Sequence, residues 1–345
     1  MRASLPVMVV RGGTSRGVFI RKEDAIASGL DLDELALRLV GARDMSCTDG
    51  LGGGQPTTSK VVLVNIGEDR SDHELDFSVG NLSPGTHVVD WQGTCGNLTA
   101  AVPLYAAAAG LITKQNQIVR MRNLSTGRTV HASTPNSSLW GSGEASVRTS
   151  YIEPGGATVK TTFPLGAHQN TVCVDGEEIQ VTVADITHPY VIVSAKSAFR
   201  HSDSSISAGM HESDVTRVQE IRDATAVAMG LVESRSEAAL RSPAMPRILV
   251  VGNGSGGADL NVWALSMGVP ILTIPVSGAM CLAATRSIAG TIPSQLVAGM
   301  SKAETSLLGR SGMVYARADV DPDGTVATVS VDRTCRIILE GVARI

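Results

Sequence analysis

Eight short runs rich in β-branched residues recur along the chain. They are V-M-V-V (7–10), K-V-V-L-V (60–64), E-L-D-F-S-V (74–79), Q-I-V-R-M-R (117–122), A-S-V-R-T-S-Y-I (145–152), I-Q-V-T-V-A (179–184), P-Y-V-I-V (189–193) and R-I-L-V-V (247–251). Turns rich in Gly, Pro and Asn separate them, so each reads as a strand. Helical patterns are fewer. Apolar spacing predicts a helix over 33–43, and a second begins at Cys95 with Pro103 as its kink. A third spans 212–230, opened by Glu212 or Ser213 and closed by Gly230. A fourth is expected over 260–267 and a fifth near Cys281. Many strands with scattered helices predict an α+β chain of twisted or closed sheets.

At 345 residues and 43% hydrophobic content the chain has room for two domains, each with its own core. G-T-C-G-N-L-T-A-A (93–101) and S-G-A-M-C-L-A-A-T-R (277–286) echo one another, which suggests two halves of similar plan. The formal charge is −4 and no basic run occurs, which argues against nucleic acid or an anionic membrane as partner. Apolar stretches fall short of a membrane span. Five dispersed cysteines (Cys47, Cys95, Cys173, Cys281, Cys335) show no C-x-x-C spacing and point to a reducing, cytoplasmic setting.

Two patterns mimic other activities. G-T-S-R-G (13–17) has the form of a hydrolase nucleophile elbow, yet only one strand precedes Ser15, whereas an elbow follows a central strand. G-N-G-S-G-G (252–257) has the form of a dinucleotide fingerprint, but no acidic residue occurs between Asp259 and Glu304. The histidines show no ligand spacing, so no metal is expected.

Chemistry concentrates in two segments. In D-G-L-G-G-G-Q-P-T-T-S-K-V-V-L-V (49–64) a glycine loop delivers Lys60 to the mouth of an apolar strand, where partial desolvation would favour a neutral amine able to act as base. In D-W-Q-G-T-C-G-N-L-T-A-A (90–101) Cys95 stands at a helix start, whose N–H groups favour an anion. Arg11, Thr14, Ser15 and Arg16, in R-G-G-T-S-R-G, add charge and donors suited to carboxylates. The set fits a small polycarboxylate and requires no cofactor.

These motifs, with D-L-N-V-W-A-L-S-M-G (259–268), S-G-A-M-C (277–281), A-G-T-I-P (289–293), R-S-G-M-V (310–314) and D-R-T-C-R-I-I-L-E-G (332–341), resemble the PrpF family over nearly the whole chain. That family comprises cofactor-independent methylaconitate cis–trans isomerases, methylitaconate Δ-isomerases and oxalomesaconate tautomerases. The resemblance implies a diaminopimelate-epimerase-like fold, with two pseudo-symmetric domains of curled sheet around a central helix and the active site in the cleft between them. The implied boundaries are 1–135 with 326–345, and 136–325. It also implies Lys60 and Cys95 as catalytic residues. Thr58, Ser59, Gly96, Asn97, Ser277, Gly278, Met280 and Cys281, with the R-G-G-T-S-R-G loop, match substrate-contacting positions. The chain departs from the family pattern at Arg16 (usually Lys), His188 (usually Asn), Trp263 (usually Arg) and Ile271 (often His).

The expected reaction is an allylic 1,3-proton shift or cis–trans isomerisation of an unsaturated di- or tricarboxylate of the aconitate, methylaconitate, methylitaconate or oxalomesaconate type. Two other readings stand beside it: a racemase or epimerase using Cys95 and Cys281 as opposed bases, and a catalytically silent carboxylate-binding accessory protein. A homodimer or higher homo-oligomer is left open.

Overall fold

The computed structural model describes residues 4–68, 70–91, 94–113, 118–134, 143–201, 205–243, 245–297 and 303–345. The chain divides into two compact units, Met1–Ile152 with Asp332–Ile345, and Glu153–Val331. The expected boundary at 135/136 lies outside the described residues, and the one at 325/326 compares with 331/332.

Unit 1 is built from strands β1 (Ser4–Gly12), β2 (Ser15–Arg21), β3 (Lys60–Ile66), β4 (Leu75–Leu82), β5 (Val89–Asp90), β6 (Ile118–Asn123), β7 (Thr129–Ser133) and β8 (Glu144–Ile152). Helices α1 (Lys22–Ala27), α2 (Leu32–Val40), α3 (Gly96–Thr99) and α4 (Val102–Ala108) connect them. β2 runs parallel to β3 and β4 parallel to β6, while β1–β2, β3–β4, β6–β7 and β7–β8 are antiparallel. The strand Val326–Arg344 (β17, the last in the chain) pairs its Cys335–Arg344 stretch with β1 and also pairs with β8. The ladder thereby returns on itself as a closed ring. Closure removes exposed strand edges.

Alternation along each strand sorts the residues into an inner and an outer face. Val119, Met121 and Asn123, Val130 and Ala132, and Ala145, Val147, Thr149 and Tyr151 are buried at every second position. The inner face wraps α4, where Val102–Ala107 are all buried and Tyr105 packs its ring 5.4 Å from Phe19. The outer face of β1–β3, with Val7, Val18, Ile20, Val61 and Leu63, packs on Leu35, Leu39 and Val40 of α2. Asp31 caps α2 by accepting from Asp33 N at 2.9 Å, and Gly41 ends it in the left-handed conformation.

Unit 2 repeats this plan with β9 (Asn170–Val174), β10 (Glu177–Asp185), β11 (Pro189–Ser194), β12 (Arg247–Asn253), β13 (Leu260–Ser266), β14 (Val269–Ile271), β15 (Glu304–Gly309) and β16 (Gly312–Val320). Its helices are α5 (Ala195–Ala198), α6 (Glu212–Ala228), α7 (Arg235–Arg241), α8 (Val276–Arg286) and α9 (Ile292–Leu296). The sequence of pairings matches unit 1: β10–β11 antiparallel, β11–β12 parallel, β12–β13 antiparallel, β13–β15 parallel, β15–β16 antiparallel. α8 takes the part of the central helix and is buried at nearly every position.

Three local expectations need correction. Of residues 260–267, Leu260–Ser266 form strand β13 and Met267 the turn after it, because pairing with β12, β14 and β15 overrides the helical bias of Leu and Ala. The helix from Cys95 does not kink at Pro103; it breaks at Ala100–Ala101, and Pro103 sits in the first turn of α4, where its missing N–H costs nothing. α6 is capped by His211, whose Nδ1 accepts from Ser213 N at 3.3 Å. The strand expected at 117–122 is β6; residue 117 lies outside the described residues. No helix among the described residues is long and apolar enough to cross a membrane.

Candidate active site

At one rim of the unit 1 ring, inner-face positions meet the start of α3. Gly12 ends β1, Ser15 opens β2 and Lys60 opens β3. Asn81 lies opposite Lys60 in the β3–β4 ladder, and Gly12 lies opposite both Ser15 and Cys335.

The turn between β1 and β2 fits tightly against α3. A Cβ on Gly12 would fall 2.1 Å from the Asn97 carbonyl oxygen, and one on Gly13, at φ +50°, would fall 2.3 Å from Asn97 Oδ1. At Gly17 a Cβ would stand 2.8 Å from Leu98 Cδ1 and 3.5 Å from Lys60 Cβ. Glycine therefore lets α3 and the start of β3 close on this turn with no side chain between them.

Cys95 is the N-cap residue of α3, in extended conformation and half-buried. Its thiol donates to Ser15 Oγ at 3.7 Å. Asn97 Nδ2 donates to Ser15 Oγ at 3.3 Å and to Thr14 Oγ1 at 3.0 Å. Lys60 Nζ donates to Asn81 Oδ1 at 2.5 Å. Thr14, Ser15, Lys60, Cys95, Gly96 and Asn97, all expected from sequence, thus share this rim.

Other expected residues fall elsewhere. Arg11 and Arg16 are paired neighbours on β1 and β2 and alternate to the outer face. Arg11 Nη1 donates to Gly13 O at 3.1 Å, Thr334 O at 2.9 Å and Thr334 Oγ1 at 3.0 Å, clasping β17. Arg16 lies beside the glycine loop, its Nη2 2.8 Å from where a Gly53 Cβ would stand. Ser59 is fully buried with its hydroxyl 3.7 Å from Cys47 Sγ, and Thr58 donates to Gln55 O at 3.2 Å.

In unit 2, Ser277 Oγ lies 2.8 Å from Tyr190 Oη and accepts from Arg247 Nη1 at 3.3 Å. Gly278 packs on Tyr190 and Leu249, and Met280 is buried. Cys281 is the sixth residue of α8, not its head; it is fully buried and burial pushes its thiol well up. A thiol held protonated in the core is a poor base, which removes support from the paired-cysteine reading.

Three rim residues were not anticipated. Asn81 holds the Lys60 amine. Tyr151, at the end of β8, is buried, and burial pushes its phenol up to about 12, so it stays a neutral donor. Arg333 reaches in from β17 and donates through Nε to Asn97 Oδ1 at 3.2 Å. Strand alternation in 145–152 marks Tyr151 as inward-facing, and Arg333 lies within D-R-T-C-R-I-I-L-E-G.

A sequence model of the family described as PrpF protein matches residues 2–345. The chain is 25% identical to 3-methylitaconate isomerase of Eubacterium barkeri over 365 aligned residues, covering 98% of this chain and 96% of that protein. It is 29% identical over 384 residues to 2-methyl-aconitate isomerase of Shewanella oneidensis, covering 97% and 95%. To (4E)-oxalomesaconate Delta-isomerase of Novosphingobium it is 24% identical over 358 residues, covering 98% and 97%. Among solved structures, methylitaconate-delta-isomerase superposes with a TM-score of 0.85 at 24% identity, covering 99% of this chain and 95% of that one. A hydroxyproline epimerase from Agrobacterium vitis superposes at 0.54 with 13% identity, covering 100% and 94%. These superpositions establish the fold as the α+β, epimerase-like one expected.

Proposed function

The chain belongs to the PrpF family of isomerases, and on that premise we propose that it moves a proton along the allylic system of a small unsaturated di- or tricarboxylate, with Lys60 and Cys95 as its acid–base pair. The observation that carries this reading is the shared rim. The first residue of β3 and the N-cap of α3 converge on one face of one ring, with Ser15 in contact with the thiol. Relatives named as isomerases of 3-methylitaconate, 2-methyl-aconitate and (4E)-oxalomesaconate support the same substrate class.

One member of the pair, as free amine or thiolate, takes the proton from the carbon next to the double bond. The C–H electron pair moves into the carbon framework, and the charge spreads onto a carboxylate as a dienolate. The other member then delivers a proton to the far carbon, or the bond rotates before the proton returns. Asn97, Thr14 and Ser15 supply neutral donors where that charge develops.

Proton NMR in deuterated buffer tests this with cis- and trans-aconitate, methylaconitate, methylitaconate and oxalomesaconate. At least one acid should exchange its allylic hydrogen for deuterium as it isomerises. Lys60→Ala and Cys95→Ala should each slow that exchange on the order of a thousandfold. Full activity in both variants overturns the assignment.

A further inference from the structure

We propose that Arg333 is the guanidinium that clamps a carboxylate of the substrate, an inference that rests on the polycarboxylate reading above and gives it an anchor. Such an acid carries two or three negative charges, and an inward-facing cation beyond Lys60 is needed to hold it. Strand alternation turns Arg11 and Arg16, the arginines conspicuous in sequence, to the outer face. On β17, Cys335 lies opposite Gly12 on the inner face, and Arg333, two residues earlier, points the same way onto Asn97.

The surroundings of Arg333 leave it short of negative charge. Its Nε is bonded to the neutral Asn97 amide and its Nη1 donates to the Asp332 carbonyl at 2.7 Å. Nη2 has no hydrogen-bond partner among the described residues. The nearest carboxylate, Asp332, is engaged by Arg148 through a two-point bridge, with Nε–Oδ1 at 2.8 Å and Nη2–Oδ2 at 2.9 Å. Burial lowers the Arg333 affinity for its proton, which is the mark of a cation removed from water without full compensation. A planar guanidinium accepts a carboxylate in a two-point contact, and here that contact would set the acid beside Cys95, Asn97 and Ser15.

Saturated probes separate binding from turnover. Propane-1,2,3-tricarboxylate, glutarate and methylsuccinate, the last two each lacking one carboxylate of the first, are titrated calorimetrically into the full-length protein and its variants. Arg333→Gln should weaken the tricarboxylate about thirtyfold, and Arg333→Lys by only about fivefold, since the charge remains. The penalty should vanish for whichever smaller acid lacks the clamped group; Arg333 acting only to position Asn97 would penalise all three alike. Arg336→Gln, an exposed outer-face change on the same strand, should alter nothing. If wild type binds the tricarboxylate and Arg333→Gln binds it as tightly, the clamp is wrong while the substrate class stands. If wild type binds none of the three, the substrate class itself fails and the clamp with it.

Discussion

Cys95 and Cys281 carry the same functional group in opposite surroundings. Cys95 is half-buried at a helix start, whereas Cys281 is sealed inside α8 with burial raising its proton affinity. Cys335 is also buried, and burial pushes its thiol up to about 12. Only thiolates alkylate, and a raised value keeps a thiol protonated below it, so at pH 8 both core cysteines should stay unmodified. Iodoacetamide followed by mass spectrometry should label Cys173, which is exposed, and Cys95. In a Cys173→Ala background a single adduct should abolish turnover, and a bound tricarboxylate should protect against it. Labelling of Cys281 in the folded protein would contradict the structure. Lys60 and Cys95 were legible in sequence because each follows its own glycine motif. Arg333 was not, since it meets Asn97 from 236 positions away and only ring closure brings them together.

At the level of strands and helices, the site depends on how closely backbones approach. Gly12 leaves room for the Asn97 carbonyl where a methyl would stand 2.1 Å away, against a rigid backbone atom. Gly12→Ala should cost about 3 kcal/mol of stability, because overpacking must displace either β1 or α3. It should also lower kcat, since α3 carries Cys95; differential scanning calorimetry and the deuterium assay read the two effects separately. Gly29→Ala, at φ +73° but with open space where its Cβ would stand, should cost about 1 kcal/mol of stability through backbone strain and leave kcat unchanged. Sequence patterning revealed eight of the seventeen described strands, because runs rich in β-branched residues bounded by Gly, Pro and Asn turns mark a strand whether or not they alternate. It failed at β13, where Leu260, Val262, Trp263, Ala264 and Leu265 are all buried. With both faces covered, period two disappears and composition misleads.

For the molecule as a whole, the long strand β17 determines what can fold. Its first residues, Val326–Val331, pair with β16 in unit 2, and from Asp332 onward it belongs to unit 1. Unit 1 is therefore completed only by residues 332–345, after the whole of unit 2 has been traversed, a return that the family resemblance implied for 326–345 and that strand patterning by itself could not reveal, because the run carries no mark of its partner. Residues 1–152 alone would leave β1 and β8 each with an open edge and the inner face without Cys335 and Arg333. That fragment should aggregate or stay unfolded. The register offers a repair. Ser4 faces Arg344 in an antiparallel ladder, so a short turn can join the end of β17 directly to the start of β1. A permuted chain running 332–345, turn, 1–152 converts a contact between distant segments into a local hairpin and closes the ring without unit 2. It should be soluble, melt in one cooperative transition by circular dichroism, and keep Cys95 reactive toward iodoacetamide. If the permuted chain unfolds like the bare fragment, unit 1 draws its stability from unit 2 and is no independent domain.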